Sequence, residues 1–191
     1  MRKITFDLET KNFFQDVGSN DPADLDISVV CIHDSETDKY SSFLEDEFNK
    51  LWPIVEQADM LITWNGDHFD IPLLNKYYPG DLKNIKSLDL MKEVQKILGR
   101  RLKLDSVGEA TLGLNKTGHG ADALILWQNG EIDKLIEYCK NDVKLTKELY
   151  DYAISNGYLK YKDTGIMKEI KLNTSQWEVP ASAAMTFTLP F

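Results

Sequence analysis

The first apolar residues of the chain fall at every second position. Ile4, Phe6 and Leu8 share one face of an extended segment, and Thr5, Asp7 and Glu9 share the other. That period of two predicts a strand over 3–9. Similar patterning gives strands over 27–34 ("ISVVCIHD") and 38–44 ("DKYSSFL"), separated by a polar "SET" turn. The three together read as an antiparallel meander. The texture then changes. "EDEFNKLWPIVEQA" is helical in spacing and leads into an apolar strand at "DMLITW", a helix from 70 to 78, a short strand at "IKSLDL" and a helix at "MKEVQKILG". Strands in a row followed by alternating helix and strand predict an α/β fold, with a mixed sheet and helices packed on its faces.

From 104 to 154 the pattern is helical, broken at "LGLNKTGHG" and "WQNG", and the longest helix begins at Glu131. "YLKYKDTGIMKEIKL" reads as a hairpin turning at "DTG". The loop "KNFFQDVGSNDPAD" between the first two strands is rich in Asp, Asn, Gly and Pro yet carries Phe13 and Phe14. The tail "NTSQWEVPASAAMTFTLPF" has no clear period, although Trp177 and Phe187 suggest packing against something. The expected organisation is one domain over 1–172 and a C-terminal extension over 173–191.

Composition narrows the picture. A chain of 191 residues, 42% hydrophobic, is large enough for one sizeable core. No apolar run reaches transmembrane length, and the N-terminus enters a strand rather than a signal peptide, so a cytoplasmic location without a membrane partner is expected. Cys31 and Cys139 sit in apolar segments without the spacing of a zinc site and read as core residues. The formal net charge of -9 argues against gripping a long duplex by charge. That objection weakens if carboxylates hold divalent cations, because bound ions invert the local charge.

Three places put carboxylates where a core would not want them. In "FDLET", Asp7 and Glu9 are neighbours on one strand face, where like charges repel. In "WNGDHFDIPLL", Asp70 sits between Phe69 and an apolar run; with Pro72 in the first turn, it also has the look of a helix N-cap. Asp67 and His68 read as solvent contacts in the turn. In "YCKND", Tyr138 and Asp142 are four apart on a helix, hence on one face. Eight tyrosines and nineteen aspartates make roughly one such spacing by chance, and Tyr77 with Asp81 is a decoy around Pro79 and Gly80. Asp142 differs because it falls within the stripe Leu135, Tyr138, Asp142, Leu145, Leu149. A carboxylate in an apolar stripe needs a partner, which a Lys, an Arg or a metal could supply.

In this order, "FDLET", "NGDHFD" and "YCKND" resemble the three motifs of the DEDD superfamily, the DnaQ-like 3'-5' exonucleases of ribonuclease H-like fold. Glu137 stands where one branch has His, and Tyr138 where the other has Tyr, so the chain resembles the tyrosine (DEDDy) branch. "MLITWNGDHFD" and "LKLDSVGEATLGLNKTG" are most similar to the exonuclease domains of family B DNA polymerases. The resemblance covers residues 3 to 155. It implies a ribonuclease H-like mixed sheet, with antiparallel opening strands followed by parallel ones. It also implies a nest of Asp7, Glu9, Asp70 and Asp142 for two divalent cations, Mg2+ or Mn2+, with Asp7 bridging both. Tyr138 would orient the attacking water. Thr10, Asn65 and Phe69 would hold the terminal nucleotide, and Lys116 could meet a phosphate. The implied partners are single-stranded DNA or RNA 3' ends, DNA favoured, with room for a polymerase or repair partner.

"GRRLK" and "KYK" are possible strand-tracking patches, although a charge cluster is usually a solvated face; His119 has no assigned role. Two other readings compete. One is a non-catalytic nucleic-acid- or partner-binding module on the same fold, and the other is an endonuclease of the ribonuclease H kind.

Overall fold

The computed structural model describes residues 1–114 and 120–180. In chain order the elements are β1 (Lys3–Thr10), α1 (Phe14–Val17), β2 (Ile27–Asp34), β3 (Lys39–Phe43), α2 (Phe48–Val55), β4 (Met60–Thr63), α3 (Asp70–Asn75), β5 (Lys86–Asp89), α4 (Leu90–Leu98), α5 (Leu104–Leu112), α6 (Gly120–Gln128), α7 (Ile132–Asn156), β6 (Tyr158–Asp163) and β7 (Ile166–Lys171). The main sheet has the order β3-β2-β1-β4-β5. β2 runs antiparallel to both β1 and β3, whereas β4 is parallel to β1 and to β5. This is the mixed α/β architecture that the sequence predicts.

The period of two in β1 sorts the two layers. Ile4, Phe6 and Leu8 pack with Phe48, Leu51 and Val55 of α2 and with Ile71, Leu73 and Leu74 of α3. On the opposite face, Val29 and Cys31 meet Leu135, Cys139 and Val143 of α7. Met60 and Ile62 of β4 share that side with Val94 of α4, Val107 of α5 and Leu149 of α7. Asp7 and Glu9 therefore point towards α7, the layer on which Asp142 is carried. Cys31 and Cys139 are free and fully buried, as expected of core residues.

β1 and β4 pair only over Lys3–Thr5 and Met60–Ile62, so β1 continues towards Thr10 without a partner on its β4 side. The crevice at the carboxyl ends of parallel strands is where open α/β sheets bind ligands. Here it receives the end of β1 and the turn after β4.

Several boundaries differ from the sequence reading. The helix expected over 45–58 begins as a 3-10 turn, Glu45–Glu47, before α2. α3 stops at Asn75 rather than 78, because the Lys76 and Tyr77 amides switch to the carbonyls of Leu73 and Leu74 three residues back, ahead of Pro79. The loop after β1 contains α1 and a 3-10 turn at Pro22–Asp24, both too short to leave a period. Beyond the hairpin, Trp177 is buried and stacks on Tyr150 with ring centres 6.0 Å apart. The Lys86 ammonium donates to the carbonyls of Gln176, Trp177 and Val179. Phe187 lies outside the described residues. Among the described residues no helix is long and apolar enough to cross a membrane.

Candidate active site

Asp7, Glu9 and Asp142 each present a carboxylate oxygen within 4.8 Å of the others. β1 supplies two of these groups and α7 the third. Close packing of the two elements fixes the approach: the Cys139 thiol, one residue after Tyr138, lies 3.4 Å from the Asp7 carbonyl and donates to it. Asp70 enters from the first turn of α3 and is buried at 4% exposure. It does not cap α3; Phe69 occupies the capping position and makes no side-chain cap bond. The backbone amides of Asp70 itself and of Leu8, on the stretch of β1 left unpaired beyond Thr5, act on the buried Asp70 carboxylate and partly offset the effect of its burial.

The electrostatics are those of a crowded anionic site. Burial, then repulsion from Asp70, Asp142 and Glu9, holds the Asp7 carboxyl well above the usual range. Burial and the Asp142 and Asp70 charges do the same to Glu9. Burial pushes Asp70 up to about 7 and, with repulsion from Asp105, Asp142 up to about 7. Among the described residues no basic side chain is a cause acting on Asp7 or Glu9 to offset this. A nest of carboxylate oxygens suits a hard divalent ion and offers no soft ligand set. The donor set therefore fits metal binding.

Tyr138 stands one helical turn before Asp142. Burial first, then the charges of Asp142, Glu9 and Asp7, pushes its phenol up, so it remains a neutral hydrogen-bonding group at any working pH. Its neighbours around an open cavity include Ile125, Leu126 and Asn141. The stripe read from sequence is rotated by one position. Between the buried Leu135 and Leu149, the fully packed face runs through Cys139, Val143 and Thr146, leaving Tyr138, Asp142 and Leu145 half-buried at its edge. That offset places Asp142 over the end of β1 instead of in the apolar core.

The turn after β4 is set by backbone geometry. Asn65 adopts a left-handed φ of 72°, which Asn tolerates better than most residues. A Cβ at Gly66 would lie 2.4 Å from that of Thr63, so only glycine fits there. The Asn65 carbonyl accepts the His68 and Phe69 amides, and the Gly66 carbonyl accepts that of Ile71. Asp89, which the sequence reading passed over, holds this turn from below. Its carboxylate accepts the amides of Asn65 at 2.8 Å and Asp67 at 3.3 Å while also capping α4 through Met91 and Lys92. The available signal was an Asp between the apolar residues of "SLDLM" immediately before a helix.

The structure thus brings Asp7, Glu9, Asp70, Asp142 and Tyr138 together. Asn65 sits in the turn with its side-chain oxygen buried and unpartnered. The Phe69 ring makes a T-shaped contact with Phe14, ring centres 6.1 Å apart. The Thr10 hydroxyl donates to the Asn12 carbonyl at 2.9 Å and is turned into its own loop. Asp67 is held by Ser87 and Lys92 rather than left to solvent. Lys116 and His119 lie outside the described residues.

The comparisons with known proteins agree with this architecture. Residues 4–154 match the family described as the RNase_H superfamily. No curated protein matches the chain. Among solved structures, the chain is similar to the family B DNA polymerase from the hyperthermophilic archaeon Pyrobaculum calidifontis, with a TM-score of 0.62 and 18% identity. The similarity covers 81% of this chain and 24% of the polymerase, so the chain spans about a quarter of that protein.

Proposed function

The chain belongs to the RNase_H superfamily, and on that premise we propose that it is a 3'-5' exonuclease of the tyrosine branch. It removes nucleoside monophosphates from single-stranded or frayed 3' ends, DNA favoured. The observation that carries this reading is the gathering of Asp7, Glu9 and Asp142 within 4.8 Å, beside the buried Asp70 and one helical turn from Tyr138.

Asp7, Glu9, Asp70 and Asp142 would hold two Mg2+ or Mn2+ ions, whose chemistry when bound is to activate a water and to stabilise the leaving 3' oxygen. The phenol of Tyr138, which burial favours in its protonated form, orients the attacking water through a hydrogen bond. Asn65, in the turn that leads to Asp70, is the proposed contact to the terminal nucleotide. Phe69, in T-shaped contact with Phe14, offers a ring for stacking. Thr10 and Lys116 complete the proposed contacts to the end of the strand.

The test is a comparison of linear and circular single-stranded DNA of one sequence in Mn2+. An exonuclease converts the linear strand to mononucleotides and leaves the circle intact. Opening of the circle would instead assign an endonuclease, and two intact substrates would leave a binding module.

A further inference from the structure

Cross-strand pairing in the β6–β7 hairpin sorts its residues onto two faces. Leu159 opposite Ile170 and Tyr161 opposite Lys168 define the inner one, where Leu159, Tyr161 and Ile170 are buried against α7. The other face presents Tyr158 opposite Lys171, Lys160 opposite Glu169, and Lys162 opposite Met167. On a chain of net charge -9, this small sheet face carries three lysines against one glutamate. Lys160 and Lys171 have no ion-pair partner among the described residues, and Lys162 reaches the exposed Glu109. The Lys160 ammonium lies over the Tyr158 ring at 5.8 Å from its centre.

The hairpin is also rigidly tied to the helix that approaches the acidic nest. The Thr111 hydroxyl accepts the Lys160 amide at 2.9 Å and donates to the Lys160 carbonyl at 3.2 Å, closing the free edge of β6 against the end of α5. At the other end of α5, Asp105 is the acidic group whose charge acts on Asp142. Six residues separate Asp105 from Thr111, about 9 Å along a helix. A basic face with one aromatic ring, on a short sheet and a few nucleotides' length from the nest, has the composition of a sequence-independent single-strand platform.

We propose that the outer face of the β6–β7 hairpin, through Lys160, Lys162 and Lys171 beside Tyr158, tracks the phosphate backbone of the single strand whose 3' end occupies the acidic nest. The placement of the 3' end rests on the exonuclease reading; the affinity of this face for single-stranded nucleic acid does not. The occupant is chosen by charge: the nest repels phosphate in the absence of cations, and the hairpin is positive.

The experiment measures binding of a 5'-fluorescent oligothymidylate by anisotropy across a salt series in EDTA, where no metal-dependent hydrolysis intervenes. Each phosphate contact contributes about 0.7 to the slope of log affinity against log salt for a single strand. The K160Q/K162Q/K171Q variant is therefore expected to lower that slope by about 2, and K160R/K162R/K171R to retain it. If the triple glutamine variant melts early, K171Q alone is expected to lower the slope by about 0.7. An unchanged slope, no binding by the parent protein at low salt, or equal competition by polyglutamate of matched charge would overturn the proposal. Intact DNA in Mn2+ combined with a lowered slope would remove the exonuclease reading and leave the platform standing.

Discussion

The carboxylate of Asp89 accepts the Asn65 amide at 2.8 Å, and so the end of β5 supports the turn that delivers Asp70. The same side chain caps α4 through Met91 and Lys92, so one buried acid joins the turn after β4 to the start of α4. Removing it strands several amides at once. Asp89→Ala is expected to destabilise the fold by about 1–3 kcal/mol, read as a lowered denaturant midpoint at unchanged slope. Because the turn also carries Asn65 and Phe69, turnover should fall in the fraction that remains folded, with Asp89→Asn recovering part of both losses.

Gly66 is expected to tolerate no side chain. The Cβ of Gly66→Ala would overlap the Thr63 side chain at 2.4 Å, and both residues flank the turn that leads to Asp70. A loss of about 1–3 kcal/mol is expected by thermal or chemical melting. The double variant Gly66→Ala/Thr63→Ser, with a smaller neighbour, should regain part of it.

Replacing one acid by its amide should stabilise the metal-free protein. Asp7 is held above its usual range by burial and by three neighbouring acids, so Asp7→Asn removes the cost of protonating or desolvating that carboxyl on folding. In EDTA its Tm should exceed that of the parent. Added Mn2+ should raise the parent's Tm by mass action while moving the variant's little.

The pH dependence in EDTA follows from the direction of the shifts. Asp70 and Asp142, ordinarily near 3.8, are pushed up to about 7, so the folded chain binds their protons more tightly than the unfolded chain does. Their contribution is fully present below the ordinary carboxylate value and is lost as pH rises through about 7. The Tm in EDTA should fall between about pH 5 and 8, and Asp70→Asn should flatten that fall. A Tm that rises across this window would contradict the burial assigned to the site.

Tyr138→Phe tests the phenol without disturbing the carboxylates. Loss of one orienting hydrogen bond, worth about 1 kcal/mol, should slow turnover about fivefold and leave the Mn2+-induced Tm shift intact.

Much of this was legible in the sequence because it rests on periodicity. The alternation of Ile4, Phe6 and Leu8 with Asp7 and Glu9 fixed both the strand and the face on which the acids lie. The long apolar stripe of α7 located Tyr138 and Asp142 to within one position. The positions missed depend on tertiary contacts. Asp89 looks like one more acid before a helix until its carboxylate is seen to reach back to the Asn65 and Asp67 amides. Phe14 reaches Phe69 from a four-residue helix, a length that leaves no period to read. Asp105 acts on Asp142 only because α5 folds back over α7. Thr10, which the resemblance places at the terminal nucleotide, follows a bulge between Glu9 and Thr10 and donates its hydroxyl to the Asn12 carbonyl, a contact that no spacing announces.

The most direct measurement is an incubation of 5'-labelled single-stranded DNA with the protein in Mg2+ or Mn2+, alongside Asp142→Ala. The expected result is a ladder shortening one nucleotide at a time from the 3' end, absent with the variant although its fold is retained. Internal cuts, or an unchanged ladder from Asp142→Ala, would contradict the assignment of this acidic nest as an exonuclease centre.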